Sequence, residues 1–204
     1  DALKELKIKS PFYISQNDGT LMSADIVKNY PVLTFASGPT NSMRGAGFLS
    51  KKNNAIVVDI GGTTTDFGVI KEGFPRESAI PVDIGGVRTN FRMPDLISIG
   101  LGGGSIIREN SNHVSVGPDS VGYKLDKEAL IFGGKTLTTS DITVAAGDAN
   151  FGDKSKVEHI SNDLIIKSQN KIKNMIEEGI DRVKLNKDDA VSYTHLTLPT
   201  ILLV

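Results

Sequence analysis

The chain contains no cysteine, which excludes disulfide scaffolds and thiolate metal sites. Histidine is scarce. His113, His159 and His195 stand too far apart for a local ligand motif such as H-E-x-x-H. An excess of one charge is also lacking. The 23 basic and 24 acidic residues leave a net charge of −1, so composition points to no polyanionic partner such as nucleic acid. No apolar run reaches the length of a membrane-spanning helix, and the opening "DALKELKIKS" has no signal-peptide pattern. The default expectation is a cytoplasmic protein with neither nucleic-acid nor membrane partners. That opening also lacks a methionine, so a missing N-terminal segment is expected.

What remains is ordinary globular composition, with 39% hydrophobic and 23% charged residues in 204 positions. That length suits one domain or two small lobes. The 21 glycines stand out. They cluster at Gly61 and Gly62, at Gly85 and Gly86, between Gly100 and Gly104, and at Gly133 and Gly134. Glycine serves where the backbone needs positive φ or approaches something closely. The clusters predict tight turns around a common cleft; a β-rich fold with many hairpins is the plainer alternative.

Along the chain, "SPFYISQNDGTLMS" reads as a hairpin turning at Asn17-Asp18-Gly19. "SADIVKNYP" predicts a short helix stopped before Pro31, and "VLTFASGP" predicts a strand. "SGPTNSMRGAGFLSKK" predicts a helix with Met43, Ala46, Phe48 and Leu49 as its apolar positions. Gly45 and Gly47 weaken that helix by roughly 1 kcal/mol each against alanine, implying a neighbouring backbone packed close. Residues 55–59 and 67–70 read as buried strands, the second ended by the turn Lys71-Glu72-Gly73. Short strands and glycine turns are expected after it, and "HVSVGPDSVGYKL" alternates and turns. Thr138 and Asp141 have capping-box spacing, with Asp for the usual Glu or Gln, ahead of a short helix through Ala146. The clearest helix is "SNDLIIKSQNKIKNMIEEGIDRVK", with Ser161 as N-cap and Asp163 in the first turn. Ile165, Ile172, Ile176, Ile180 and Val183 recur at helical spacing, and Gly179 predicts a bend or an early end. The tail "VSYTHLTLPTILLV" carries no charged residue. It reads as a final buried strand or as translated vector read-through; the second reading is preferred, so His195 carries little weight.

The chemistry concentrates in "DIGGTTTD". A P-loop needs a lysine after its glycines, and none follows here. A dinucleotide fingerprint needs G-x-G-x-x-G between strand and helix; "GLGGGS" ends in Ser105, and "GAGFLS" also misses. The remaining design is a β-hairpin loop over phosphate. Gly61 and Gly62 free backbone N–H groups to point at phosphate oxygens, as in an anion-binding nest. Thr63, Thr64 and Thr65 add hydroxyls. Asp59 would repel phosphate, so its sensible role is to hold Mg²⁺, which binds by one or two carboxylates plus phosphate oxygens. Asp66 would orient a threonine hydroxyl or contact metal-bound water. A tight hairpin with Asx and Thr turns is the plain alternative. Gly102, Gly103, Gly104 and Ser105 present consecutive N–H groups, read as a nucleotide- or substrate-facing turn or as close backbone packing. No G-x-S-x-G elbow exists, so no covalent serine mechanism is expected.

"DIGGTTTD" resembles the phosphate hairpin of the hydantoinase A/oxoprolinase family, within the actin–hexokinase–sugar kinase ATPase superfamily. "SGPTNSMRGAGFLS", "GFPRESA", "GGVRTNFRMPDLISIGLGGGSI", "VGPDSVGY" and "FGGKTLTTSDI" resemble successive family landmarks, in family order, across residues 10–189. The resemblance implies an α/β ribonuclease H-like ATPase lobe with a mixed sheet and a glycine-rich β-hairpin phosphate loop. It implies ATP and Mg²⁺ as cofactors and chemistry on a cyclic amide, of hydantoin or 5-oxoproline type. ATP would activate the ring carbonyl oxygen as a phosphate ester, and water would open the ring. In "RTNFRMPD", which holds Arg88, Asn90, Arg92 and Asp95, Arg92 is the candidate for stabilising charge on the phosphorylated amide; a lobe-bridging salt link is the alternative. Asp59, Asp66 and Arg92 are thus the candidate catalytic set. "GPDSVG" offers Asp119 and Ser120, which in such turns mostly act as caps.

Two departures limit the resemblance. Family members carry an earlier "D-x-G-G-T" hairpin in an N-terminal lobe, and this chain has one copy. After "VKLNKDDA" the expected glycine-rich adenosine turn gives way to the uncharged tail. The expected organisation is therefore a partial family domain over residues 1–190, an incomplete ATPase lobe, and a non-native tail over 191–204. The missing lobe or a partner subunit would complete the site, in a hetero-oligomer if a subunit. An ATP-dependent carboxylase subunit and a non-catalytic scaffold of the same fold are the competing expectations.

Overall fold

The alternation of the first strands and the Asp-Gly turn fold the N-terminal stretch as expected. A computed structural model describes residues 2–78, 83–84, 86–88, 93–110, 113–184 and 191–195. After helix α1 (Ala2–Glu5), strands β1 (Tyr13–Ser15) and β2 (Leu21–Ser23) pair antiparallel. Asp18 accepts bonds from the Thr20 N–H and hydroxyl inside the turn. Helix α2 (Ala24–Asn29) stops before Pro31. Residues Pro31–Thr34 form a 3-10 turn, not the expected strand. Pro31 presets the φ of a helical first position, and the Thr34 hydroxyl donates to the Pro31 carbonyl.

Helix α3 (Ser37–Ser50) follows, then β3 (Ala55–Ile60) and β4 (Thr65–Lys71) as an antiparallel hairpin. Glu72 and Gly73, both at positive φ, turn the chain into β5 (Phe74–Pro75). Short strands β6 (Asp83–Ile84) and β7 (Val87–Arg88) pair with each other. Strand β8 (Leu96–Ile99) lies against the first half of β4, while β5 takes its second half. Strands β9 (Ser105–Asn110) and β10 (His113–Ser120) form a separate hairpin. Helices α4 (Leu125–Glu128), α5 (Thr139–Ala146) and α6 (Asn162–Val183) follow, and β11 (Val191–His195) pairs parallel with β3. The main sheet is therefore mixed, parallel at β11 and antiparallel elsewhere.

This sheet is covered on both faces, which is why β3 reads as a continuous apolar run. On one face Met43 and Ala46 of α3 pack on Val57, Ile70 and Leu96. On the other, Ile176, Ile180 and Val183 of α6 pack on Ile56, Val58 and Phe67. Burying a phenylalanine such as Phe67 contributes about 1.5–3 kcal/mol. Phe48 and Leu49, expected among the apolar positions of α3, instead face outward, 83% and 80% exposed. A second core joins β9 and β10 to α5 and α6 through Ile107, Val114, Val116, Ile142, Ile165 and Ile172.

Gly179 does not end α6, which runs on to Val183. A Cβ there would lie 2.3 Å from the Phe67 ring, so the glycine is a seat for the aromatic. Gly47 approaches a side chain, Ile70, with a Cβ 2.9 Å from its methyl, whereas a Cβ at Gly45 would meet nothing within 4 Å. The implied close backbone is thus absent at Gly45. Among the described residues, no helix is long and apolar enough to cross a membrane.

Candidate functional site

The period of two along β4 decides the site. Odd positions of β4, Thr65 and Phe67, face α6, and even positions, Asp66 and Gly68, face α3. Thr65 is fully buried, and its hydroxyl donates to the Leu101 carbonyl at 2.7 Å. It is part of the framework, which corrects its expected place among the phosphate donors. Asp66 lies directly across the ladder from Asp59. On its other side Asp66 is in register with Ser98 of β8, whose hydroxyl donates to its carboxylate. Asp59, Asp66 and Ser98 thus form one polar row where the α3 face stops being apolar.

Like charges directly opposed across a ladder repel. Burial pushes the Asp66 carboxyl above its ordinary value; the Ser98 hydrogen bond pulls it back, and the Asp59 charge raises it further. Two carboxylates so placed suit a hard cation that completes its shell from phosphate oxygens and water. Among the described residues, no group of three or more acidic or histidine side chains could hold a metal by itself. The chemistry of the pair fits a divalent cation such as Mg²⁺ that draws its remaining ligands from elsewhere.

The turn between β3 and β4 is short. The Gly61 N–H donates to the Thr64 carbonyl at 2.9 Å and closes it. Gly62, Thr63 and Thr64 are exposed at its tip. Among the described residues, their backbone N–H groups and the Thr63 and Thr64 hydroxyls have no hydrogen-bond partner. These donors are the feature a phosphate would use.

The second glycine cluster lies directly behind the tip. Gly103 N–H donates to Gly61 O at 3.0 Å, and Gly104 N–H to Gly62 O at 2.7 Å. Gly102 N–H donates to the Ser105 hydroxyl at 2.8 Å, and Ser105 N–H to Gly102 O at 3.0 Å. All these N–H groups are engaged within the chain. The structure thus corrects the expected ligand-facing role of Gly102, Gly103 and Gly104 to that of a backing for the hairpin. A Cβ on Gly102 would lie 2.5 Å from the Thr63 nitrogen, so only glycine fits there. Of the four glycine clusters, these two meet. Gly133 and Gly134 sit elsewhere, with Gly134 close against Glu128, and Gly85 lies outside the described residues.

Arg92 and Asn90 also lie outside the described residues. Asp95 pairs with Arg76, whose guanidinium also donates to the Val183 carbonyl at 3.0 Å, tying the end of α6 to the sheet edge. Arg88 is exposed on β7. The Ser120 hydroxyl accepts the Gly122 N–H and has the capping role expected of it, whereas Asp119 pairs with Arg108 across the hairpin instead. Sequence reasoning missed Ser98 and Thr139. Ser98 was visible as a polar residue interrupting the apolar run "LISI", whereas Thr139, among the polar residues of the capping box, carried no such signal.

Comparison with known proteins gives these features a lineage. A family model described as Hydantoinase/oxoprolinase matches residues 1–183. The acetophenone carboxylase gamma subunit of Aromatoleum aromaticum is 30% identical over 155 residues, 74% of this chain and 21% of that protein. The acetone carboxylase beta subunit of Xanthobacter autotrophicus is 33% identical over 124 residues, 57% of this chain and 17% of that protein. This chain therefore spans about a fifth of the length of these relatives. Two solved structures share the fold. One is a nucleotide-free acetone carboxylase (TM-score 0.65, 23% identity, 89% of this chain and 28% of that one). The other is an ATP-dependent caprolactamase from Pseudomonas jessenii (TM-score 0.66, 22% identity, 90% of this chain and 30% of that one). With a family match covering nearly its whole length, this chain belongs to the hydantoinase/oxoprolinase family.

Proposed function

We propose that the β3–β4 hairpin is the phosphate seat of an ATP-dependent enzyme that activates a carbonyl oxygen of its substrate by phosphorylation. The carrying observation is the exposed tip of Gly62, Thr63 and Thr64, with unpartnered N–H and hydroxyl donors beside the Asp59–Asp66 pair. ATP would supply the phosphoryl group, leaving ADP and a phosphate ester of the substrate oxygen. The tip donors would hold the phosphate oxygens as negative charge builds on them. Asp59 and Asp66 would hold Mg²⁺ against those oxygens, and Ser98 would fix the Asp66 carboxylate. Arg92 remains the proposed partner for charge on the substrate.

Hydrolysis of a cyclic amide of hydantoin or 5-oxoproline type is the first reading, in a ribonuclease H-like lobe completed by another lobe or subunit. Caprolactamase among the structural neighbours favours it. A carboxylase subunit is favoured as strongly, because both curated relatives are carboxylase subunits. The two readings share the activation step. In the intact protein, ATP turnover that rises with a lactam alone supports the hydrolase, and turnover that requires a ketone with bicarbonate supports the carboxylase. No ATP turnover with either, in a complete assembly, would leave only a non-catalytic scaffold and overturn the proposal.

A further inference from the structure

The hairpin tip is connected to the N-terminus of α5 by two parallel rows of hydrogen-bonded peptide groups. The Thr139 hydroxyl shares its proton between the carbonyls of Gly102 and Gly103, the latter at 2.8 Å. The Ser140 N–H donates to Gly103 O at 3.1 Å. The next links are the N–H groups of the same two peptide units, Gly103 to Gly61 O and Gly104 to Gly62 O. Among the described residues the only cis peptide bond is Gly117-Pro118, so these units are trans. In a trans peptide the N–H points opposite to the C=O. The carbonyls of Gly61 and Gly62 therefore face the glycine turn, while the N–H groups of Gly62 and Thr63 face away from it, toward the exposed side.

We infer that Thr139 is a positioning residue for phosphate binding, acting through these two rows to orient and polarise the N–H groups of Gly62 and Thr63. Chains of hydrogen bonds polarise one another, so a donor at one end makes the free N–H at the other a stronger donor. The α5 N-terminus adds its positive dipole end in the same direction. The capping box holds that end in place. Asp141 accepts the Thr138 N–H at 2.7 Å and hydroxyl at 2.8 Å, and also the Ile131 N–H at 2.8 Å. The same links fix the hairpin against the turn. No ligand touches Thr139 in this scheme; it lies beneath the site, 2% exposed, with its hydroxyl fully engaged.

The inference rests on the phosphate reading of the hairpin, but part of its test does not. In the unmutated ¹⁵N,¹³C-labelled chain, through-hydrogen-bond couplings should link Gly103 N to the Gly61 carbonyl carbon and Gly104 N to that of Gly62. Their absence overturns the relay. Thr139→Val should move the Gly62 and Thr63 amide protons upfield without ligand, while Thr139→Ser should leave them in place. Thr143→Val is the control, because the Thr143 hydroxyl bonds the Thr139 carbonyl within α5 and neither row. Unmoved tip amides in Thr139→Val, or equal movement in the control, overturn the inference. Inorganic pyrophosphate is then titrated. Thr139→Val should weaken its binding about 2- to 5-fold, and Thr139→Ser should restore it. If pyrophosphate leaves Gly62 and Thr63 unperturbed in every variant, the phosphate reading fails, while the couplings and free-state shifts still decide the relay. If Thr139→Val does not fold, the couplings in the unmutated chain decide between relay and none.

Discussion

The consecutive threonines show how one position changes a role. Thr63 and Thr64 stand exposed at the tip, while Thr65 opens β4 and points into the core. In the intact protein, Thr63→Ala should lower ATP turnover on the order of 10-fold or more if its hydroxyl stabilises the transferring group. Asp59→Asn should raise the Mg²⁺ concentration needed for half-maximal rate; unchanged turnover at limiting Mg²⁺ refutes the metal role. Asp66 allows a test of stability. Its carboxyl is pushed up in the folded chain, so the folded state binds its proton more tightly than the unfolded state. Stability from this group is fully present below the ordinary carboxyl range and is lost as pH rises through the raised value. Asp66→Asn, which still accepts from Ser98, should therefore raise the melting temperature at pH 7. That gain should vanish once the pH falls below about 3.9, the unperturbed value. An equal gain at both pH values would show that charge is not its cause.

Among the elements, glycines with similar sequence settings separate by what stands opposite them. Gly45 in α3 faces open space, and Gly179 in α6 faces the Phe67 ring. Gly45→Ala should stabilise the chain by about 0.5–1 kcal/mol through helix propensity. Gly179→Ala gains the same propensity but drives a methyl into Phe67, with a net loss of about 1–3 kcal/mol. Denaturant midpoints for the two variants should move in opposite directions. The glycine turns repeat the contrast. Gly62→Ala, with nothing within 4 Å of the new methyl, should leave stability nearly unchanged. Gly102→Ala, whose methyl would meet the backbone of Gly61, Gly62 and Thr63, should displace the tip and weaken pyrophosphate binding while perturbing those amides.

At the scale of the whole molecule, these residues make up 21% and 17% of the curated relatives and 28% and 30% of the structural neighbours. One hairpin of the proposed phosphate-binding type is present in this sequence. The chain alone is expected to bind Mg-ATP only weakly, through the hairpin tip; calorimetry showing micromolar affinity overturns that. The strand β11 beside β3 places Val191–His195 in the sheet, as the buried-strand reading of the tail allows. The sequence by itself determined the hairpin, helices α2, α3, α5 and α6 with the caps of the last two, and the family resemblance, because turn chemistry, capping boxes and apolar periodicity are local patterns. It could not separate Thr65 from Thr63, place Gly102 behind Gly62, or explain Gly179. Each depends on an atom distant in the chain: the Leu101 carbonyl, the hairpin backbone and the Phe67 ring. Sequence supplied the donors and carboxylates, and only tertiary packing decided which of them stay exposed at the hairpin tip and which hold it in shape.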